Sequence, residues 1–151
     1  MSAGARLVGA ALLASLAVAC GGEASSGDEA SPDQERTCEA GFTTPEGFRQ
    51  TESFRDPYPD HIGIRLGFVA DDGREIHYFA GIPGEFGEGL PDAGTVRLAT
   101  GRTALLAGGV HEVWVLVWDE GGICDPRVVL GRGFERSGFL ELLERAGVVA
   151  T

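Results

Sequence analysis

The sequence predicts an α+β domain: a curved antiparallel sheet, a meander of about six or seven strands, with a C-terminal helix packed on one face. A small all-β sandwich is the alternative. Three observations carry the prediction. The run Val113-Trp114-Val115-Leu116-Val117-Trp118 is apolar on both sides of an extended chain, so it belongs inside the domain with material on each face. Shorter runs with two-residue alternation flank it, punctuated by many of the chain's 24 glycines. Only one stretch, at the C-terminal end, has apolar residues at helical spacing.

In chain order, Phe42, Phe48, Phe54 and Tyr58 are separated by Pro45, Gly47, Pro57 and Pro59. Aromatics so spaced plug the edge of a core from a loop or an irregular strand. Ile62, Ile64, Leu66 and Phe68 then alternate with Gly63, Arg65, Gly67 and Val69 as a half-buried strand, and Ile76, Tyr78 and Ala80 alternate beyond Asp71-Asp72-Gly73. A two-residue loop there would separate the apolar faces. A three-residue loop sets Phe68 opposite Ile76 and Leu66 opposite Tyr78, with Gly73 at positive φ.

Gly81 to Gly94 is expected to be a long loop, and Thr95–Ala99 with Thr103–Ala107 a hairpin turning near Gly101-Arg102. Gly108-Gly109 leads into the core strand. The chain should return as Ile123-Cys124, break at Pro126 and resume at Val128-Val129-Leu130, at a sheet edge or a kink. The helix has Ser137 as N-cap, Phe139, Leu142, Leu143 and Ala146 on its apolar stripe, an outward Glu141–Arg145 pair and Gly147 past its end. Too short to persist alone, it must dock on the sheet, naturally on the Trp114-Leu116-Trp118 side.

The full chain carries a formal charge of −11, and its 12 basic residues are all arginine. A surface of that sign repels phosphate backbones, which argues against nucleic-acid partners.

Arg6 and the apolar run Leu7–Ala19 have the charged start and short hydrophobic core of a signal peptide, residues 1–19. The run is shorter than the roughly 20 residues a membrane-spanning helix needs. Leu16-Ala17-Val18-Ala19-Cys20-Gly21 resembles the lipobox of bacterial lipoproteins, although Ala17 stands where Leu is usual. The resemblance implies acylation of Cys20 and attachment to a membrane through that lipid, on the extracytoplasmic side of the cell envelope. Ala17-Val18-Ala19 also fits a plain secretory cleavage site, which would give a soluble secreted protein. Cysteine parity favours the lipoprotein: Cys38 and Cys124 can pair as a disulfide in an oxidising compartment, which leaves Cys20 over. Residues 20–37 read as a disordered acidic tether without a large apolar side chain, and 38–151 as a single β-rich domain.

The C-terminal half has a further likeness. Val96-Arg97-Leu98, Gly101, Ala104-Leu105-Leu106, the core strand with Asp119-Glu120-Gly121-Gly122, a closing strand and Leu140-Glu141-Leu142-Leu143 follow one another in a familiar order. Residues 95–148 resemble the uncharacterised sensor-like domains of bacterial lipoproteins and anti-sigma factors. Those are related to the lipoprotein-carrier (LolA-type) and RseB-type half-barrels. The inserted Pro126 and the short helix depart from that pattern. The likeness implies an antiparallel half-barrel with helix cover.

Residues capable of chemistry do not assemble into a motif. His61, His77 and His111 lack the spacing of a metal site and read as solvated surface histidines. His111 and Glu112, as neighbours on a strand, would face opposite sides. Asp71-Asp72 and Asp119-Glu120 are what tight turns require and do not follow a calcium loop. Ser137 lacks a nucleophile elbow, and Gly84, Gly87 and Gly89 do not open a helix as a phosphate loop does. No catalytic residue, metal or cofactor is expected.

The candidate binding element is the long loop, where Ile82, Phe86 and Leu90 recur at four-residue intervals. They act either as a lid or as plugs of the sheet. The leading functional expectation is a non-enzymatic, membrane-anchored domain that binds an envelope protein or an apolar ligand. The alternatives are a structural envelope lipoprotein without ligand, and an enzyme with a loop-built site, for which converging Arg65, Glu75 and His77 would be the sign.

Overall fold

A computed structural model of the protein describes residues Arg36–Thr151. The expected signal peptide, Cys20 and the tether up to residue 35 lie outside the described residues. The rest forms one open, antiparallel seven-stranded sheet and one helix: β1 (Phe48–Pro57), β2 (Ile62–Ala70), β3 (Glu75–Ala80), β4 (Asp92–Arg97), β5 (Thr103–Val110), β6 (Val113–Trp118), β7 (Arg127–Arg132) and α1 (Arg136–Arg145). The fold class is the α+β one expected from the sequence. A single sheet forms, not a sandwich.

The strand order is β1-β2-β3-β7-β6-β5-β4. Two meanders therefore meet at the β3–β7 ladder, and the segment from Gly81 to Pro91 carries the chain from β3 to the far edge. Side-chain alternation gives the sheet two faces. One row of directly opposed residues, Ser53, Leu66, Tyr78, Val129, Leu116 and Leu106, runs from β1 to β5. Its apolar members join Trp114, Trp118, Phe68 and Ile76 in one core with Phe139, Leu142 and Leu143 of α1. The helix thus docks on the tryptophan side of the core strand, as expected. Phe134 and Phe139 pack against each other, and Trp114 Nε1–H donates to the Phe134 carbonyl at 2.9 Å.

The opposite face carries Phe54, Arg65, Phe79, Val128, Val117 and Leu105 in register. The β3–β4 crossing covers its middle. Phe86 packs on Phe79 with ring centroids 5.0 Å apart, and Gly87 lies over Ala107 and Val115. This is why Val115 and Val128 are buried although they point away from the helix. Leu105, 65% exposed, lies beyond the cover.

The β2–β3 pairing follows the three-residue loop: Phe68 faces Ile76, Leu66 faces Tyr78, and Gly73 has φ 86°. Several other expectations need correction. Residues 48–57 form a ladder along β2, interrupted only by a bulge at Thr51, where a loop or irregular strand was expected. Exposed polar residues along β1 hid it, because an edge strand buries little on either face. β4 starts at Asp92 and ends at Arg97, so the preceding loop is shorter than the glycine spacing suggested.

Ile123 and Cys124 lie in a turn rather than a strand, and β7 begins only after Pro126. His111 and Glu112 are not on a strand. Both have positive φ (51° and 56°) in the tight turn between Val110 and Val113. The Glu112 carbonyl accepts the N–H of Gly133 at 3.0 Å, which fixes this turn to the chain after β7. The helix is capped by Glu135 without a side-chain hydrogen bond, and Ser137 sits inside its first turn. Gly147 takes φ 73° just past the C-cap, as expected. Among the described residues no ion pair joins Glu141 to Arg145.

Candidate functional site: the groove beside the N-terminal segment

The site starts from the residues that precede β1. The Cys38 N–H donates to the Ile62 carbonyl and the Ile62 N–H to the Arg36 carbonyl, each at 2.9 Å, and Thr37 bridges Ile62 in parallel. These bonds tie Arg36 and Thr37, as well as Cys38, to the start of β2. Cys38 is fully buried, and its Cα lies 5.5 Å from that of Cys124 in disulfide geometry. The expected pair is thus brought together, with Cys124 in the turn before β7.

This tethered segment forms one wall of a groove of about 380 Å³. Thr37 to Ala40 stand on one side, Ser53, Phe54 and Arg55 of β1 on the other, and Ile64 and Leu66 form the floor. The floor belongs to the same apolar face as the core, at the edge where α1 no longer covers it. The size lies within the range of small-ligand sites. Arg55 and Glu39 give the groove one charge of each sign.

At the end of the segment sits His61. It is only 8% exposed, which corrects its reading as a solvated histidine. Its Nε2 lies 2.6 Å from the Gly81 carbonyl and its Nδ1 2.7 Å from Asp60 Oδ1. Tyr58 stacks on the ring at 5.0 Å. Both partners are acceptors, so the surroundings favour the doubly protonated imidazolium form of the ring. The Gly81 hydrogen bond, then the one to Asp60, raise its pKa above the ordinary value of 6.5. The bond to His61 holds the Asp60 carboxyl below its usual range.

The chain after the core strand is ordered by a second constellation. Asp125 accepts the backbone N–H groups of Glu120, Gly121 and Gly122 at 2.9, 2.6 and 2.7 Å. Burial pushes its pKa up, but these three donors and the charge of Arg127 outweigh that and leave it lowered. Arg127 lies 3.2 Å from Glu120 and donates to the Tyr78 hydroxyl at 3.0 Å. Arg127 Nε, although close to Glu120, is buried without a hydrogen-bond partner, and the groups read as a turn lock.

Of the expected binding loop, Phe86 is spent on the back face against Phe79. Ile82 packs over Gly63, and Leu90 is half-buried. None of the three lines the groove. The residues that would signal a loop-built enzyme do not converge. His77 Nε2 is 3.6 Å from Glu75, but the Arg65 guanidinium lies over the Phe54 ring at 4.7 Å. Among the described residues no group of three His, Cys, Asp or Glu could hold a metal ion.

Sequence reasoning missed the groove because it depends on β1 being a strand. It missed His61 because its second acceptor is a backbone carbonyl twenty residues away, at Gly81. The Asp60-His61 adjacency is the one signal that was present.

The geometry defines an open antiparallel sheet domain with one covering helix and a groove at its N-terminal edge. The chain matches no protein-family model, no curated protein and no solved structure.

Proposed function

We propose that the protein is a lipid-anchored extracytoplasmic lipoprotein of the bacterial envelope whose domain is non-enzymatic and captures an apolar ligand or an apolar segment of an envelope protein. The observation that carries the binding role is the groove of about 380 Å³ between β1 and the Thr37–Ala40 segment, with Ile64 and Leu66 as its floor. Both floor residues are already more than nine-tenths buried, so they shape the groove, and a ligand must draw its contacts mainly from the two walls. The anchoring role rests on the apolar run before Cys20 and on the pairing of the other two cysteines, which leaves Cys20 for a lipid.

The binding role is tested with an apolar naphthylamine fluorophore and Ser53→Trp, which places a large ring in the groove from an exposed strand position. The variant should melt like the wild type and lose the probe. Equal probe binding by both would remove the groove from the proposal. For the anchor, mass spectrometry of the mature N-terminal peptide should show acylated Cys20, and Cys20→Ser should leave the membrane fraction. A peptide starting at an unmodified Cys20 would favour the secreted alternative. The second functional reading, an envelope lipoprotein without ligand, is favoured by Asp125, whose carboxylate is engaged by three backbone N–H groups of its own turn, and a wild type that does not bind the probe would support it.

A further inference from the structure

The Cys38–Cys124 pair and His61 meet at one point of the fold. A Cβ built on Gly81 would lie 2.7 Å from Cys38 Sγ and 3.0 Å from His61 Nε2. Gly81 has φ 66° and no side chain, and sulfur and imidazole ring both occupy the side of the backbone where a Cβ would stand. The two cysteines differ in exposure: Cys38 is fully buried and Cys124 half-buried. We propose that this is a redox-active disulfide, opened by an external dithiol that attacks Cys124 and expels Cys38 as a thiolate beside the His61 imidazolium.

The chemistry has a defined direction. A thiolate of the dithiol forms a bond to Cys124 Sγ. The bond between Cys124 and Cys38 breaks, and its electron pair leaves on Cys38 Sγ. An adjacent positive charge stabilises that leaving thiolate and so speeds its departure. The second thiol of the reductant, once deprotonated, attacks its own sulfur in the mixed disulfide and closes to a cyclic disulfide. Cys124 departs and takes up a proton from solvent. The dithiol is oxidised by two electrons and the protein gains two reduced cysteines, Cys38 remaining paired with His61. Attack in the other sense would need the nucleophile to reach a fully buried sulfur.

The charge on His61 is defined by its surroundings. Asp60 and Tyr58 face it from the β1–β2 turn, and Cys38 faces it from the N-terminal segment. Arg36 of that segment acts on Asp60. From the end of β3 only the Gly81 carbonyl faces it, and the Gly81 N–H is itself bonded to the Pro126 carbonyl. The carboxylate and the carbonyl both favour the protonated ring. Reduction would free the Thr37–Ala40 segment from the turn before β7 and leave it on its two backbone bonds to Ile62.

The test is the rate of reduction of the oxidised full-length protein by dithiothreitol from pH 5 to 9, expressed per unit of reagent thiolate. For the wild type this rate should fall about ten-fold as His61 loses its proton. His61→Gln should give the lower rate at every pH. A role for His61 in holding the structure alone predicts the opposite trend, because loosening the corner exposes the disulfide. In parallel, a brief exposure to glutathione followed by acid quench should place the adduct on Cys124. A wild-type rate that is flat or rises with pH, or an adduct on Cys38, would overturn the proposal. The wild-type pH profile and the adduct position are both read without the variant.

Discussion

The indole N–H of Trp114 reaches across to the carbonyl of Phe134, at 2.9 Å, and in doing so joins the core strand to the connection that launches the helix. Both residues are buried, so the carbonyl has no access to bulk water. Trp114→Phe removes the donor and strands the acceptor. The expected cost is about 1–3 kcal/mol for the unsatisfied carbonyl, with a further loss from the smaller ring. Denaturant unfolding followed at fixed m-value measures it; a change below about 0.5 kcal/mol would mean that the carbonyl finds another partner.

Two glycines at the same interface should respond in opposite directions. A Cβ on Gly131 would stand 2.6 Å from the Phe139 ring, so Gly131→Ala forces the helix away from the sheet and should cost about 1–3 kcal/mol. Gly138, inside α1, has nothing within 4 Å of its Cβ position and an ordinary φ. Gly138→Ala should therefore stabilise by about 0.5–1 kcal/mol. Thermal melts of the two variants side by side decide the matter, and a shift of the same sign in both would contradict the packing described here.

His61 gives stability a pH dependence of defined sign. Its folded pKa is raised, so its contribution is fully present below the ordinary value of 6.5 and is lost as pH rises through the folded value. Asp125 acts in the other direction. Its folded pKa is lowered, so its contribution is present above the ordinary carboxylate value of 3.8 and is lost as pH falls through the folded value. Stability should thus decline on both sides of a mildly acidic optimum, and His61→Gln should flatten only the alkaline limb. Tm against pH from 3 to 9 checks both limbs. An unchanged alkaline limb in the variant would assign that decline to another group.

The β3–β4 crossing should behave as part of the core. Phe86 covers Phe79, and replacing it by Ser exposes the middle of the back face, at a cost of about 1–2 kcal/mol. Leu90→Ser should cost less. A variant pair that melts like the wild type would return the loop to the role of a lid.

How much of this was legible in the sequence follows from burial. Val113–Trp118 and Ile62–Val69 announced themselves because their residues are sorted by face, and the register of Leu66 against Tyr78 followed from keeping those faces together. β1 was not legible because most of its side chains are exposed, and so the groove it walls could not be seen either. The Cys38–Cys124 pairing was legible from parity alone. The environment of His61 was not, since Gly81 meets it only through the tertiary fold and contributes a backbone carbonyl, which no side-chain pattern encodes. The N-cap was misplaced because Ser137 offers a good side chain where the chain had already turned helical at Arg136.

The seam between β3 and β7 also bears on how the molecule assembles. Every other ladder joins strands adjacent in sequence, with connections of at most eight residues, so the β1–β3 and β4–β7 sheets can each form from local contacts. Among the ladders of the sheet, only the seam requires two remote strands to find one another, and it is the step at which the apolar row from Leu66 to Leu106 becomes continuous. Pairing at the seam is thus expected to set the folding rate, and substitutions at Tyr78 or Val129 to slow folding more than equally destabilising ones at Phe48 on the free edge.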